Sequence, residues 1–183
     1  MFAINKMKII DKLTAAEWCL SLGIRLNNDG LPNVKGASNA SEFSIPKDAG
    51  KRTSMVKGQM NNLLIDDSCL VWLNDWNVWP SGQWQHIFDR FRLSYGCNQP
   101  LIEKPAHVIG KAEYDIAISI AVYAVLMLWD CYVISDVGLW IYYSHDEYGL
   151  VNTQGEQSHA ANDLYPLTMP VIISHHGELI YLV

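Results

Sequence analysis

The strongest constraint on the fold is an apolar segment from Ile116 to Trp129, in which Ser119 is the only polar residue. Its fourteen residues would span about 21 Å as a helix, whereas the hydrocarbon core of a bilayer is roughly 30 Å thick. Asp115 and Asp130 bound the segment, so a charge stands at each end. We therefore interpret it as a buried central helix of a globular protein rather than as a membrane span.

The rest of the chain has the composition of a folded domain. Of its 183 residues, 50% are apolar and 17% are charged, which is enough to bury a core and too hydrophobic for disorder. The four cysteines form no C-x-x-C pair and are expected to be reduced thiols. Charged residues near the N-terminus interrupt any signal-peptide core. We expect a single globular domain over residues 1–183, located in the cytoplasm.

Helical periodicity predicts three helices before the apolar segment. The first begins near Thr14, at capping-box spacing from Glu17, and Gly23 is placed to end it. A second covers about residues 54–65, and a third runs from Ser81 to Gly96. Residues 31–51 between the first two have turn-forming composition and are expected to form a long surface loop.

Strand patterns dominate after the apolar segment. One short strand is predicted earlier, from Cys69 to Leu73. Two predicted hairpins follow the segment, and residues 144–162 between them are expected to be a long connection. The hairpin strands are Tyr132 to Ser135 with Leu139 to Tyr143, and Val171 to Ser174 with Leu179 to Val183.

The order of these elements predicts an α+β fold. Helices should occupy the N-terminal two thirds around the buried central helix. An antiparallel sheet should be built mainly from C-terminal strands.

Charge is divided unequally along the chain. Residues 112–183 contain nine acidic residues and no lysine or arginine, whereas residues 1–111 contain 13 basic and 10 acidic residues. The net charges are therefore −9 and +3. An acidic half repels nucleic acid and anionic membranes and attracts a basic partner. The alternative is a solvated acidic face that only keeps the protein soluble.

No motif for catalysis or for a metal or cofactor is present. The six histidines lack H-x-x-x-H spacing, although a dispersed site such as His145, Glu147 and His159 stays open. Ser144, His145 and Asp146 are consecutive, so on an extended chain they cannot converge as a catalytic triad. Glycine-rich phosphate loops are also absent. We expect no catalytic residues, no bound metal and no cofactor.

Four tryptophans fall within thirteen residues, at Trp72, Trp76, Trp79 and Trp84. Buried tryptophan in a core is the commonest use of this residue, and an aromatic anchor at an interface is the alternative.

Four segments together resemble small bacterial immunity proteins that are encoded beside polymorphic toxins. They are VWLNDWNVWPSGQWQHIFDRFRLSYG (71–96), LIEKPAHVI (101–109), WDCYVIS (129–135) and YYSHDEYG (142–149). The resemblance covers the middle of the chain and lends no catalytic residues. It implies a cytoplasmic antidote that binds one cognate toxin.

The acidic half and this resemblance favour the same function. Nuclease toxins are commonly basic, so an acidic surface can cover such an active site and accelerate encounter. We predict an immunity protein, not an enzyme, that binds a basic toxin through Asp146, Glu147, Glu156 and Asp163, with Tyr148 as an aromatic anchor. One alternative is a small hydrolase with a dispersed site of His145 and Asp146 or Glu147. Another is a structural adaptor, which should expose the tryptophans.

Overall fold

A computed structural model describes residues 7–35, 37, 39–80 and 84–152, and the described strands form one seven-stranded antiparallel sheet. The strand order across the sheet is β1-β4-β3-β5-β6-β7-β2. The strands are β1 (Lys8–Ile10), β2 (Ala40–Ser44), β3 (Ser68–Asn74), β4 (Ala106–Gly110), β5 (Asp130–Ser135), β6 (Trp140–Tyr143) and β7 (Tyr148–Asn152). The helices are α1 (Lys12–Ser21), α2 (Ala49–Asn61), α3 (Gln85–Ser94) and α4 (Tyr114–Leu126), with a short 3-10 helix (Lys111–Glu113) before α4. The α+β class is confirmed.

Strand alternation gives the sheet two apolar faces, because successive side chains of a strand point in opposite directions. On β3, Val71 packs on the first face, against α2, α3 and α4. Trp72, its neighbour, packs on the second face with α1 and the loop residues Leu31 and Val34. Helices therefore cover both faces, which explains why β3, β5 and β6 are buried almost throughout.

Aspartates at the helix starts set the bounds of the first two helices. Asp11 accepts a hydrogen bond from the backbone N–H of Thr14 at 2.8 Å, and Asp48 accepts one from Lys51 at 2.8 Å. Each satisfies a donor that the first helical turn leaves unpaired. Helix α1 thus begins before the predicted capping box at Thr14, and α2 begins before the predicted residue 54.

The apolar segment forms α4 on the first face of the sheet. Six residues of α4 are buried, whereas Asp115 and Ser119 are exposed, so one edge of the helix meets solvent. The apolar segment extends beyond the end of α4. Leu128 has a left-handed φ of 55°, and the chain then enters β5 through the buried Trp129. None of the helices within the described ranges is long and apolar enough to cross a bilayer.

The predicted strand at β3 and the predicted β5–β6 hairpin are confirmed. The expected separation of helices and strands is wrong for the described part of the chain, where four of the seven strands precede residue 112 and alternate with helices. Two of these seven, β2 and β7, lie in the stretches expected to be loops. The predicted hairpin of Val171 to Ser174 and Leu179 to Val183 lies outside the described residues.

Pairing between distant segments explains the strands that the pattern did not indicate. Strand β2 contains one large apolar residue, Phe43, and lies at the edge of the sheet against β7. Phe43 lies directly over Gly149 of β7, where a Cβ atom would overlap its ring. Five backbone pairs join the two strands, and Phe43 packs over Gly149 at one of them, so a local hydrophobic alternation is not needed to form β2.

Candidate functional site

Three chain segments bring acidic residues and a histidine together at one end of the sheet. Asp75 directly follows β3, Asp130 begins β5, and His145 follows β6. These strands are neighbours, and Asn74 of β3 pairs with Asp130, so the three positions share one end of the sheet. One donor atom from each of Asp75, Asp130 and His145 lies within 4.8 Å of the other two. These residues and the adjacent Asp146 are called the acidic end below.

Asp130 holds the histidine in place. It is only 4% exposed. Its Oδ1 accepts the backbone N–H of His145 at 2.7 Å and lies 2.6 Å from the ring Nδ1. Its Oδ2 accepts the hydroxyl of Tyr142 at 2.6 Å. The other ring nitrogen, Nε2, is 3.5 Å from Oδ1 of Asp146. The imidazole is therefore oriented by a buried carboxylate and presents Nε2 toward Asp146.

Asp75 has an unusual backbone and an unusual carboxyl group. Its φ of 47° lies in the left-handed region, which aspartate tolerates better than most residues. The residue is exposed overall, but partial burial of the carboxyl and the neighbouring charge of Asp130 raise the pKa of Asp75. Burial and the charge of Asp130 therefore both disfavour the ionised form of Asp75.

Tyrosine rings form the floor beside these acids. The rings of Tyr132 and Tyr142 stack at 4.7 Å between centroids, and Tyr148 meets Tyr142 edge-on at 6.2 Å. Lys35 Nζ lies 5.9 Å from the Tyr142 centroid and 5.7 Å from that of Tyr148. A hydrogen bond with Tyr148, and the charges of Tyr148, Asp130 and Asp146, raise the pKa of Lys35. Burial and the charge of Asp130 raise the pKa of Tyr142, so its hydroxyl stays a donor.

The structure places the predicted binding residues in different surroundings. Asp146 has a side chain that is 59% exposed at the acidic end. Glu147 has a left-handed φ of 63° and a side chain that is 36% exposed and pairs with the buried Arg52. Tyr148 is half-buried against Tyr142. Glu156 and Asp163 lie outside the described residues.

The ion pair with Arg52 gives Glu147 a structural role. Arg52 is 7% exposed, and its other donors reach Pro46 O at 2.6 Å and Val125 O at 3.2 Å. It therefore links α2, the end of α4 and the β6–β7 turn. Arg52 offsets much of the charge of Glu147. Of the neighbouring acids Asp146 and Glu147, Asp146 is therefore the more exposed charge.

Asp75 and Asp130 are far from His145 along the chain, so no spacing in the sequence links them to it. In the sequence, Asp130 marks only the end of the apolar segment. An acid between Trp129 and Cys131, at the start of a buried strand, was the signal that could have identified it. The dispersed set with His159 cannot be placed, since His159 lies outside the described residues.

Two cavities lie away from the acidic end. One of about 220 Å³ separates α3 from α4, and one of about 260 Å³ lies at the end of α3. The first has an apolar lining, formed by Ile87, Phe88, Phe91, Ser119, Ile120 and Tyr123. The tryptophans divide between core and surface: Trp72 is 1% exposed, whereas Trp79 and Trp84 are 46% and 50% exposed.

Comparison with protein-family models, curated proteins and solved structures found no match to this chain.

Proposed function

We propose that this protein is an immunity protein that binds a basic toxin domain through its acidic end. The observation that carries the proposal is the convergence of Asp75, Asp130 and Asp146 from three separate elements. With these carboxylates ionised, the nearby Lys35 and even a protonated His145 leave the group net negative. A concentrated negative charge of this kind attracts a lysine or arginine of a partner.

The tyrosines beside the acids suit the same role. Tyr148 is half-buried and borders the acidic end, where it can add apolar contact area to a charged interface. Tyrosine is enriched among the residues that dominate binding energy. The resemblance of residues 142–149 to immunity proteins adds support from the same segment.

The direct test neutralises the two exposed acids of this surface. We expect Asp75→Asn with Asp146→Asn to weaken binding to the toxin encoded by the adjacent reading frame by at least about tenfold, or roughly 1.4 kcal/mol. Asparagine keeps the shape of aspartate and tolerates the left-handed conformation at position 75. Calorimetry at two salt concentrations measures the affinity, and growth rescue on co-expression measures neutralisation.

Matched controls carry the same charge change elsewhere. Asp66 and Asp67 are both exposed and precede β3, at the opposite end of that strand from Asp75, so Asp66→Asn with Asp67→Asn should leave affinity nearly unchanged. Equal weakening by both double variants would show that net charge, rather than the acidic end, determines the affinity. Absence of any complex with the wild-type protein would remove the proposal.

The Asp130–His145 pair favours a second candidate, a hydrolase in which His145 acts as general base. A buried carboxylate that orients a histidine through Nδ1 is the arrangement that keeps Nε2 available to accept a proton. Asp130 would then be the carboxylate partner of His145, in place of the predicted Asp146 or Glu147. Turnover of model carboxylic and phosphate esters that is lost in His145→Ala and kept in His86→Ala would support this candidate. No turnover by the wild-type protein would reject it.

A further inference from the structure

We propose that Asp75, Asp130 and His145 form a binding site for one divalent transition-metal ion, such as Zn²⁺ or Mn²⁺. The three side chains offer two carboxylate oxygens and one imidazole nitrogen, and these donors lie within 4.8 Å of one another. Zn²⁺ and Mn²⁺ both accept such mixed ligands. The inference does not depend on toxin binding.

The geometry needs only a small adjustment. Ligand distances of about 2.1 Å place neighbouring donor atoms roughly 3.0–3.4 Å apart. The 2.6 Å contact between Asp130 Oδ1 and His145 Nδ1 would have to open by about 0.5 Å, which is a small rotation of the imidazole. Asp75 is exposed and can swing toward the other two. The site therefore consists of a fixed pair and one movable ligand.

Surrounding hydrogen bonds fix the pair in the manner of known metal sites. The hydroxyl of Tyr142 holds Asp130 Oδ2, and the backbone N–H of His145 holds Oδ1. Partners of this kind orient metal ligands, and their loss commonly lowers metal affinity. Asp130 is thus positioned before any ion arrives.

The imidazole nitrogen decides which class of metal ion the donor set prefers. A transition metal gains from all three groups, and the imidazole nitrogen favours it over Mg²⁺ or Ca²⁺, which prefer oxygen.

The test titrates the full-length protein, first stripped with a chelator, with ZnCl₂, MnCl₂ and CaCl₂ in a calorimeter. We expect wild-type protein to bind Zn²⁺ or Mn²⁺ more tightly than Ca²⁺. His145→Ala and Asp75→Asn should each remove one equivalent or weaken it by at least tenfold. Asp75 is exposed, so Asp75→Asn should still fold, which circular dichroism confirms. The result is scored as the number of metal equivalents lost relative to the wild type, because histidines elsewhere in the chain can bind additional ions.

His86→Ala and Asp29→Asn are the matched controls, because both remove an exposed side chain of the same type elsewhere. They should keep the wild-type stoichiometry and affinity. The proposal is overturned if wild-type protein shows no saturable binding, or if the site variants bind as the wild type does. Equal losses in the controls would place the site elsewhere and overturn it too. Toxin capture by the stripped protein is scored separately, so either proposal can fail alone.

Discussion

His107 shows how burial alone can set the charge of a residue. It is fully buried on β4, with Nδ1 3.3 Å from Val71 O and its ring edge-on to Phe88. Burial, reinforced by the positive charge of Arg92, lowers the pKa of His107 to about 3. The folded protein therefore keeps this histidine neutral at any physiological pH.

We predict that His107 makes the protein sensitive to mild acid. The unfolded chain takes up a proton on this residue near pH 6.5, whereas the folded protein does not until about pH 3. The stability contributed by neutral His107 is thus complete above pH 6.5 and declines as pH falls below it. Between pH 7 and pH 5 the loss should be roughly 2 kcal/mol.

Urea unfolding of wild type and His107→Gln at pH 7, 6 and 5 measures this contribution. The difference in unfolding free energy between the two proteins should change by that amount across the series. His86→Gln, which removes an exposed histidine, is the comparison variant for loss of a histidine elsewhere. A His107→Gln curve parallel to the wild type would contradict the assignment.

At the scale of elements, the sequence predicts those strands and turns whose residue pattern lies within one short segment. The apolar run of β3 and the loop between β5 and β6 are examples, and both are confirmed. Strands β2 and β7 were missed because the tertiary pairing of an edge strand decides them, and a pattern search within one segment does not see it. The capping residues Asp11 and Asp48 were also overlooked, which displaced two helix starts.

The pairing of β2 with β7 gives a direct prediction at Gly149. A Cβ at this position would overlap the ring of Phe43 and lie 2.7 Å from Tyr142 O, so Gly149→Ala forces the strands apart. We expect a loss of about 1–3 kcal/mol in unfolding free energy. Gly58→Ala is the control, since a Cβ there meets nothing within 4 Å and α2 should gain up to about 1 kcal/mol. Equal effects of both changes would argue against the fit of Phe43 over Gly149.

At the scale of the whole molecule, the acidic end depends on strand pairing that no sequence pattern predicts. Asp146 was chosen as a binding residue from charge alone, and it lies exposed at the acidic end. Asp75 and Asp130 join it only because antiparallel pairing brings the ends of β3, β5 and β6 together. No spacing rule connects positions 75, 130 and 145. The function of an immunity protein stays a prediction.

Glu147 and Asp146 are neighbours for which we predict opposite roles. Glu147→Gln removes the partner of the buried Arg52 and should cost roughly 1–2 kcal/mol of stability without weakening toxin binding. Asp146→Asn should change stability by no more than about 0.5 kcal/mol. Thermal unfolding and calorimetric titration of both variants separate the two effects. A stable Glu147→Gln protein with impaired binding would contradict the structural role and indicate that Glu147 binds the toxin.

The strand order also bears on how copies of this chain behave at high concentration. The edges of the described sheet are β1, with three residues, and β2, with five. Each carries an exposed charge, Lys8 on one and Glu42 on the other. Short, charged edges are poor templates for a further strand, because pairing would bury the charge and yield few hydrogen bonds. The described sheet thus has a built-in resistance to edge-to-edge aggregation.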